Sequence, residues 1–174
     1  MTKRIPRRLG RAGAVAALAV LAAACGGGDD TKTVTAADYS FQNLPKEVDA
    51  GTEFKLTNSS TKELHEMVVI RIPDDERRPV SQLVALPESQ QEAVFGSSEP
   101  AMVLLAPPGG GEMIKAVGDG KLTQKGRYAV VCFIPTGVDP QVYLNAPPGD
   151  GPPNVPNAGP PHVVHGMFGE ITVK

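Results

Sequence analysis

Histidine is scarce in this chain: there are three in 174 residues, at positions 65, 162 and 165. Cysteine is scarcer, with Cys25 and Cys132 only, and tryptophan is absent. A nucleophilic hydrolase sets a serine or cysteine beside a histidine base, and no such nucleophile with a spare base is available here. A non-enzyme is expected. Long apolar runs are also missing. Ala12–Ala24 is apolar but falls short of the roughly 20 residues that span a bilayer. No repeat of the solenoid kind occurs. Beyond the first residues no basic cluster argues for nucleic acid.

What stands at the start is a targeting pattern. Met1–Arg11 carries Lys3, Arg4, Arg7, Arg8 and Arg11 with no acid, and a short apolar stretch ending in small residues leads to Cys25. A basic region, a brief apolar region and a small-residue cleavage site make a secretory signal, read as residues 1–24. Leu-Ala-Ala-Ala-Cys resembles a bacterial lipobox, with Ala22 where leucine is usual. Cys25 is then the expected lipidation site, on the extracytoplasmic face of the bacterial cell membrane, with a cleaved secreted or periplasmic protein as the alternative. Arg7-Arg8 also permits twin-arginine export. Residues 25–31, with Gly26-Gly27-Gly28-Asp29-Asp30, read as lipidated cysteine and flexible tether. The whole chain has 17 basic and 19 acidic residues, and all five basic residues before Cys25 would leave with the signal. Twelve basic residues then face nineteen acidic ones, a balance of −7 that fits ordinary solubility as well as a basic partner patch.

Residues 32–174 read as one domain built on alternation. Lys32–Phe41, Lys46–Ala50, Thr52–Asn58, Glu63–Ile72, Glu112–Val117, the run GRYAVVCFIP from Gly126 and the closing Met167–Val173 are strand-like. Within Gly126–Pro135, the residues Tyr128, Val130 and Cys132 fall on one face, Ala129, Val131 and Phe133 on the other. Val80–Leu86 and Pro87–Phe95 lack alternation; Pro87-Glu88 suits a helix start and Gly96 a stop. An all-β sandwich of 7–8 strands with one or two short inserted helices is expected. Residues 137–161 form a Pro/Gly-rich insertion with eight prolines and few large apolar residues, and should be an irregular loop.

Between the last two strands lie a cysteine, two histidines and a methionine, with His65 upstream. Thiolate, imidazole and thioether form the soft donor set that suits copper. Read alone, Cys132 is either a buried inert thiol or a metal ligand, an odd thiol in an exported protein if Cys25 carries lipid. His65 alone could be a hydrogen-bonded strand-end histidine, Met167 and Met67 core side chains.

These segments resemble the C-terminal part of the cupredoxins, the blue copper proteins of the plastocyanin and azurin kind. Tyr128 stands four residues before Cys132, His162 stands five before Met167, and Phe168–Val173 closes the sandwich. His65, after the Asn-containing turn NSSTKEL, matches the earlier ligand position. The resemblance implies a cupredoxin-like Greek-key sandwich and one type 1 copper ion held by His65, Cys132, His162 and Met167. His165 is an alternative to His162, which the resemblance places facing solvent as the exit for an electron. Copper enzymes of that superfamily need a further histidine-rich centre, which three histidines cannot supply. The implied roles are single-electron transfer with an unidentified redox or copper-exchange partner, copper delivery or sequestration, or a metal-free interaction module; a monomer is expected. Between Cys132 and His162 lie 29 residues, far more than that family's short ligand loop, although closure cost rises only slowly with length.

Overall fold

The computed structural model describes residues 30–96, 99–146, 155 and 158–174. The expected signal, the lipidation site Cys25 and most of the tether lie outside them, as do residues 147–154 of the insertion. Ten strands follow in chain order: β1 Thr31–Ala37, β2 Ser40–Gln42, β3 Glu47–Val48, β4 Thr52–Asn58, β5 His65–Arg71, β6 Met102–Ala106, β7 Ile114–Val117, β8 Lys121–Leu122, β9 Gly126–Val131 and β10 Phe168–Val173. Three of them have only two or three residues, which accounts for the excess over the 7–8 expected. Three short helices interrupt them: α1 Val80–Leu83, α2 Glu88–Phe95 and α3 Pro140–Leu144.

The strands make two sheets. One has the order β2-β1-β4-β8, the other β3-β10-β9-β5-β6-β7. Pairing is antiparallel except for β1 with β4 and β10 with β3, which are parallel. Alternation aims one set of side chains from each sheet into a common core. Val34, Phe54 and Leu56 from the smaller sheet meet Met67, Val69, Leu104, Tyr128, Val130 and Ile171 from the larger. Each such side chain gains about 1.5–3 kcal/mol by leaving water. Cys132 and Met167 sit in this same core, fully buried.

The larger sheet is covered on its outer face too. Residues of β5 are buried on both faces as far as Ile70. Ile72 and Ala129 pack with Val80 and Leu83 of α1, and partly buried Val94 and Phe95 of α2 join them. The inserted helices therefore serve as a lid on the sheet, and Pro87 and Gly96 bound α2 as the sequence indicates. Arg127 helps fix this layer: its guanidinium donates to Glu170, to the Glu76 carbonyl and to the Arg78 carbonyl.

Three expectations need correction. Lys32–Phe41 is not one strand; it folds back at Asp38-Tyr39, so that β2 pairs with β1. Met102–Ala106, a five-residue apolar run unassigned from the sequence, is a strand between β5 and β7. The insertion is not wholly irregular, because Asp139 caps α3 by accepting from the Gln141 N–H.

Candidate metal centre

β5 begins at His65, and the turn before it is tightly specified. Asn58 Nδ2 donates to the carbonyls of Glu63 and Ala106, and its Oδ1 accepts from the Ser60 N–H. Ser60 Oγ in turn accepts from the Glu63 N–H. This polar corner sets where β5 starts, and so where His65 points. Cys132 follows directly on β9, on the inward face that alternation assigned to it. Tyr128 fixes the same strand's entrance, its hydroxyl donating to the Gln124 carbonyl at 2.6 Å.

His162 comes after the long insertion, but the insertion does not leave it loose. The chain on either side is zipped into a short ladder. Thr136 N donates to Pro160 O, Gly159 N to Thr136 O, His162 N to Ile134 O and Val163 N to Cys132 O, all at 2.9–3.0 Å. Pro135 and Pro161 face each other as an antiparallel bridge. The backbone then turns through His162–His165 in a 3-10 turn, closed by Gly166 at φ 101°, a left-handed conformation that glycine adopts without strain. Met167 N donates to His162 O, and Cys132 N donates to Met167 O. Met167 is thereby tied through its backbone to both neighbours, with its side chain in the core.

These elements bring three ligand-type atoms together. Nδ1 of His65 and Nδ1 of His162 are 3.1 Å apart, and Cys132 Sγ is 3.3 Å from His162 Nδ1. One ligand atom from each of the three residues lies within 4.8 Å of the others. All three side chains are fully buried. Two nitrogens that each bind one ion at about 2 Å must be about 3–3.5 Å apart, so the pair fits a shared ion. The expectation that His162 faces solvent is incorrect. His165 is the exposed histidine, and His162 lies beneath Tyr39, whose ring centroid is 4.7 Å away.

The surroundings favour neutral imidazoles and a protonated thiol when no ion is present. Burial pushes His162 down to about 4, helped by the neighbouring His65. Burial also lowers His65, although Asp38 opposes it. The Cys132 thiol is pushed up to about 12 by burial and then by Glu66. The ligand-competent form of the imidazoles is thus the resting form, while the thiol would need an ion to displace its proton.

Sequence reading missed the residues around the ligands. Asp38 Oδ1 accepts from His65 Nε2 at 2.9 Å, and its Oδ2 accepts from Ser60 Oγ. The hydrogen-bond network thereby assigns the His65 proton to Nε2 and leaves Nδ1 a lone pair aimed at His162. His162 Nε2 is buried without a hydrogen bond, although Glu63 Oε2 stands 3.4 Å from it. Glu66 is buried behind the cysteine. Its N–H donates to Cys132 Sγ, its carboxyl accepts from Phe133 N–H and faces the Tyr143 hydroxyl, and burial raises it to about 7. The only signal in the sequence was the presence of carboxylates next to a histidine strand, which is too common to point anywhere.

Two packed sheets, a ligand-type cluster at one end and the cysteine directly after the penultimate strand are the arrangement expected of a cupredoxin-like β-sandwich. No protein-family model matches the chain, and no curated protein does. Among solved structures the chain is similar to the dithionite-reduced auracyanin of the photosynthetic bacterium Roseiflexus castenholzii, at 18% identity over 85% of this chain and 99% of that one, with a TM-score of 0.40. It is also similar to auracyanin A, a "blue" copper protein of Chloroflexus aurantiacus, at 15% identity over 83% of this chain and 99% of that one, TM-score 0.39. Auracyanin B follows at 17% identity, covering 83% of this chain and 88% of that one, TM-score 0.33.

Proposed function

We propose that this chain is a copper-binding cupredoxin-like protein that carries single electrons outside the cytoplasmic membrane, anchored there through Cys25. One observation carries the copper reading: two imidazole nitrogens and one thiol sulfur converge, fully buried, at separations of 3.1 and 3.3 Å. His65, Cys132 and His162 would supply the strong donors, and Met167 a weak thioether donor. When bound, copper would supply a one-electron couple between Cu(I) and Cu(II), served in both states by imidazole and thiolate.

The protein's own residues account for the rest. With both Nδ1 lone pairs on an ion, the His162 proton belongs on Nε2, where the Glu63 carboxylate is the nearest acceptor. Asp38 would hold the His65 tautomer and ring orientation from behind, while Glu63 stands 3.4 Å from His162 Nε2 without a hydrogen bond. The Glu66 N–H already points at the sulfur. Ligands taken from a rigid core move little when charge changes, which suits electron transfer. A delivery protein would need donors that a partner can reach, and the burial of all three weighs against that role.

A copper titration of residues 30–174, followed by visible absorption, tests this reading. An intense band at one copper per chain, absent in Cys132→Ser, is expected. A colourless protein whose melting does not respond to copper would sink it. Mass spectrometry of the mature N-terminus expressed in a bacterium would show whether Cys25 bears lipid.

A further inference from the structure

The ligands all come from the larger sheet or its connections, yet the residues that touch both imidazoles from outside come from the smaller one. Asp38 and Tyr39 form the turn between β1 and β2. Asp38 holds His65 by a hydrogen bond. Tyr39 sits 4.7 Å from the His162 ring at an interplanar angle of 51°, and 6.5 Å from the His65 ring, edge-on. On its outer side the exposed His165 ring stacks at 4.9 Å and 30°. Tyr39 is thus layered between a buried histidine and a surface one, half-buried itself.

His162 needs such a neighbour. His65 has a carboxylate on its second nitrogen, but His162 Nε2 makes no hydrogen bond. Its Nδ1 contacts with His65 and Cys132 hold one edge of the ring, and packing must hold the other. The other ring against it is His65, at 4.8 Å. We infer that Tyr39 is a positioning residue of the metal centre: its ring fixes the plane of His162 and so keeps that imidazole against the thiol 3.3 Å away, while the preceding Asp38 fixes His65. One two-residue turn would then brace both imidazoles, the first by a hydrogen bond and the second by tilted ring packing. The contacts are ring to ring, so the aromatic face matters and the hydroxyl does not.

This inference rests on the copper reading for half of its consequences, and its test separates the two. In the metal-free protein, Tyr39→Ala and Tyr39→Leu should let a small maleimide reach Cys132 roughly tenfold faster than wild type by admitting solvent to a site otherwise closed. Tyr39→Phe should restore the wild-type rate. In the copper-loaded protein, Tyr39→Leu should release copper to a chelator roughly 10–100-fold faster, with an altered thiolate band, again restored by phenylalanine. Leu83→Ala, in the separate cluster under α1, controls for general loosening and should leave both rates near wild type. Wild-type rates in Tyr39→Leu, or Tyr39→Phe failing as badly as Tyr39→Leu, would overturn the assignment. Equal acceleration in Leu83→Ala would overturn it as well, by making the effect one of stability. Failure of the wild type to bind copper would remove the copper reading alone, since the maleimide comparison stands without metal.

Discussion

At the corner between β4 and β5, His65 is placed by directed bonds: Asn58 and Ser60 fix the turn, and Asp38 fixes the ring. Thirty residues after Cys132, His162 is placed by a backbone ladder, by Nδ1 contacts with its fellow ligand-type atoms and by tilted ring packing against Tyr39 and His65, with Nε2 left unbonded. Both histidines are fully buried, so burial alone does not explain the difference. Directed bonds to a carboxylate specify an orientation steeply with angle, whereas tilted ring packing tolerates sliding. The corner should be the stiff half of the centre and the turn its adjustable half.

The strongest blow to that contrast is Asn58→Ala. It leaves the Glu63 and Ala106 carbonyls without their donor, each unpaired group costing about 1–3 kcal/mol. The metal-free protein should lose about 2–4 kcal/mol by urea unfolding, and an effect under 1 kcal/mol would mean the corner is not what sets β5.

Acid should act next, and through both halves. Below its ordinary value near 6.5, each unfolded histidine gains a proton that folded His162 refuses until about 4. The unfolded state binds more protons in that window, so stability of the metal-free fold falls as pH drops from 6.5 towards 4, by on the order of 2 kcal/mol. Glu66 works in the opposite direction: raised to about 7, it stabilises the fold below about 4.5, and that contribution is lost as pH rises through 7. Urea midpoints from pH 4 to 8 should therefore show a steeper acid loss in Glu66→Gln than in wild type. An unchanged profile would contradict the burial of that carboxyl.

Asp38→Ala should weaken copper affinity 10–100-fold by freeing the His65 ring, and Glu63→Gln, opposite His162, by no more than about threefold. A competition assay with a chromophoric chelator reads both, and equal losses would erase the distinction between the halves. The smallest effect belongs to the insertion. Removing residues 147–154 should stabilise the fold by only a few tenths of a kcal/mol, because closure cost varies with the logarithm of length. A large change in melting temperature would show that the ladder depends on what lies beyond it.

Much of both sheets was legible because their strands obey period two: Thr52–Asn58 of the smaller sheet was read to the residue, and the inward Tyr128, Val130 and Cys132 of the larger followed from alternation. The ligand-type trio was legible through donor chemistry and the family resemblance. What escaped was set by tertiary contact. Asp38 and Tyr39 lie in the middle of a β-compatible run, TVTAADYSF, with no glycine or proline to announce the reversal. Local pattern carried the chain straight through the turn that supports both imidazoles. Met102–Ala106 escaped for another reason, being too short and evenly apolar to reveal a period. The exposure of His162 was misjudged because it depends on Tyr39, more than a hundred residues earlier.

The clasp formed by Thr136, Gly159 and Pro160 also separates inheritance from geometry. Residues 147–154, strung between its two sides beyond α3 and the buried Tyr143, can lengthen, shrink or be exchanged for foreign peptide while Cys132 and His162 stay in register. A lineage could rewrite that segment generation after generation, and an engineer could splice an epitope into it, and the cluster beneath would keep its spacing.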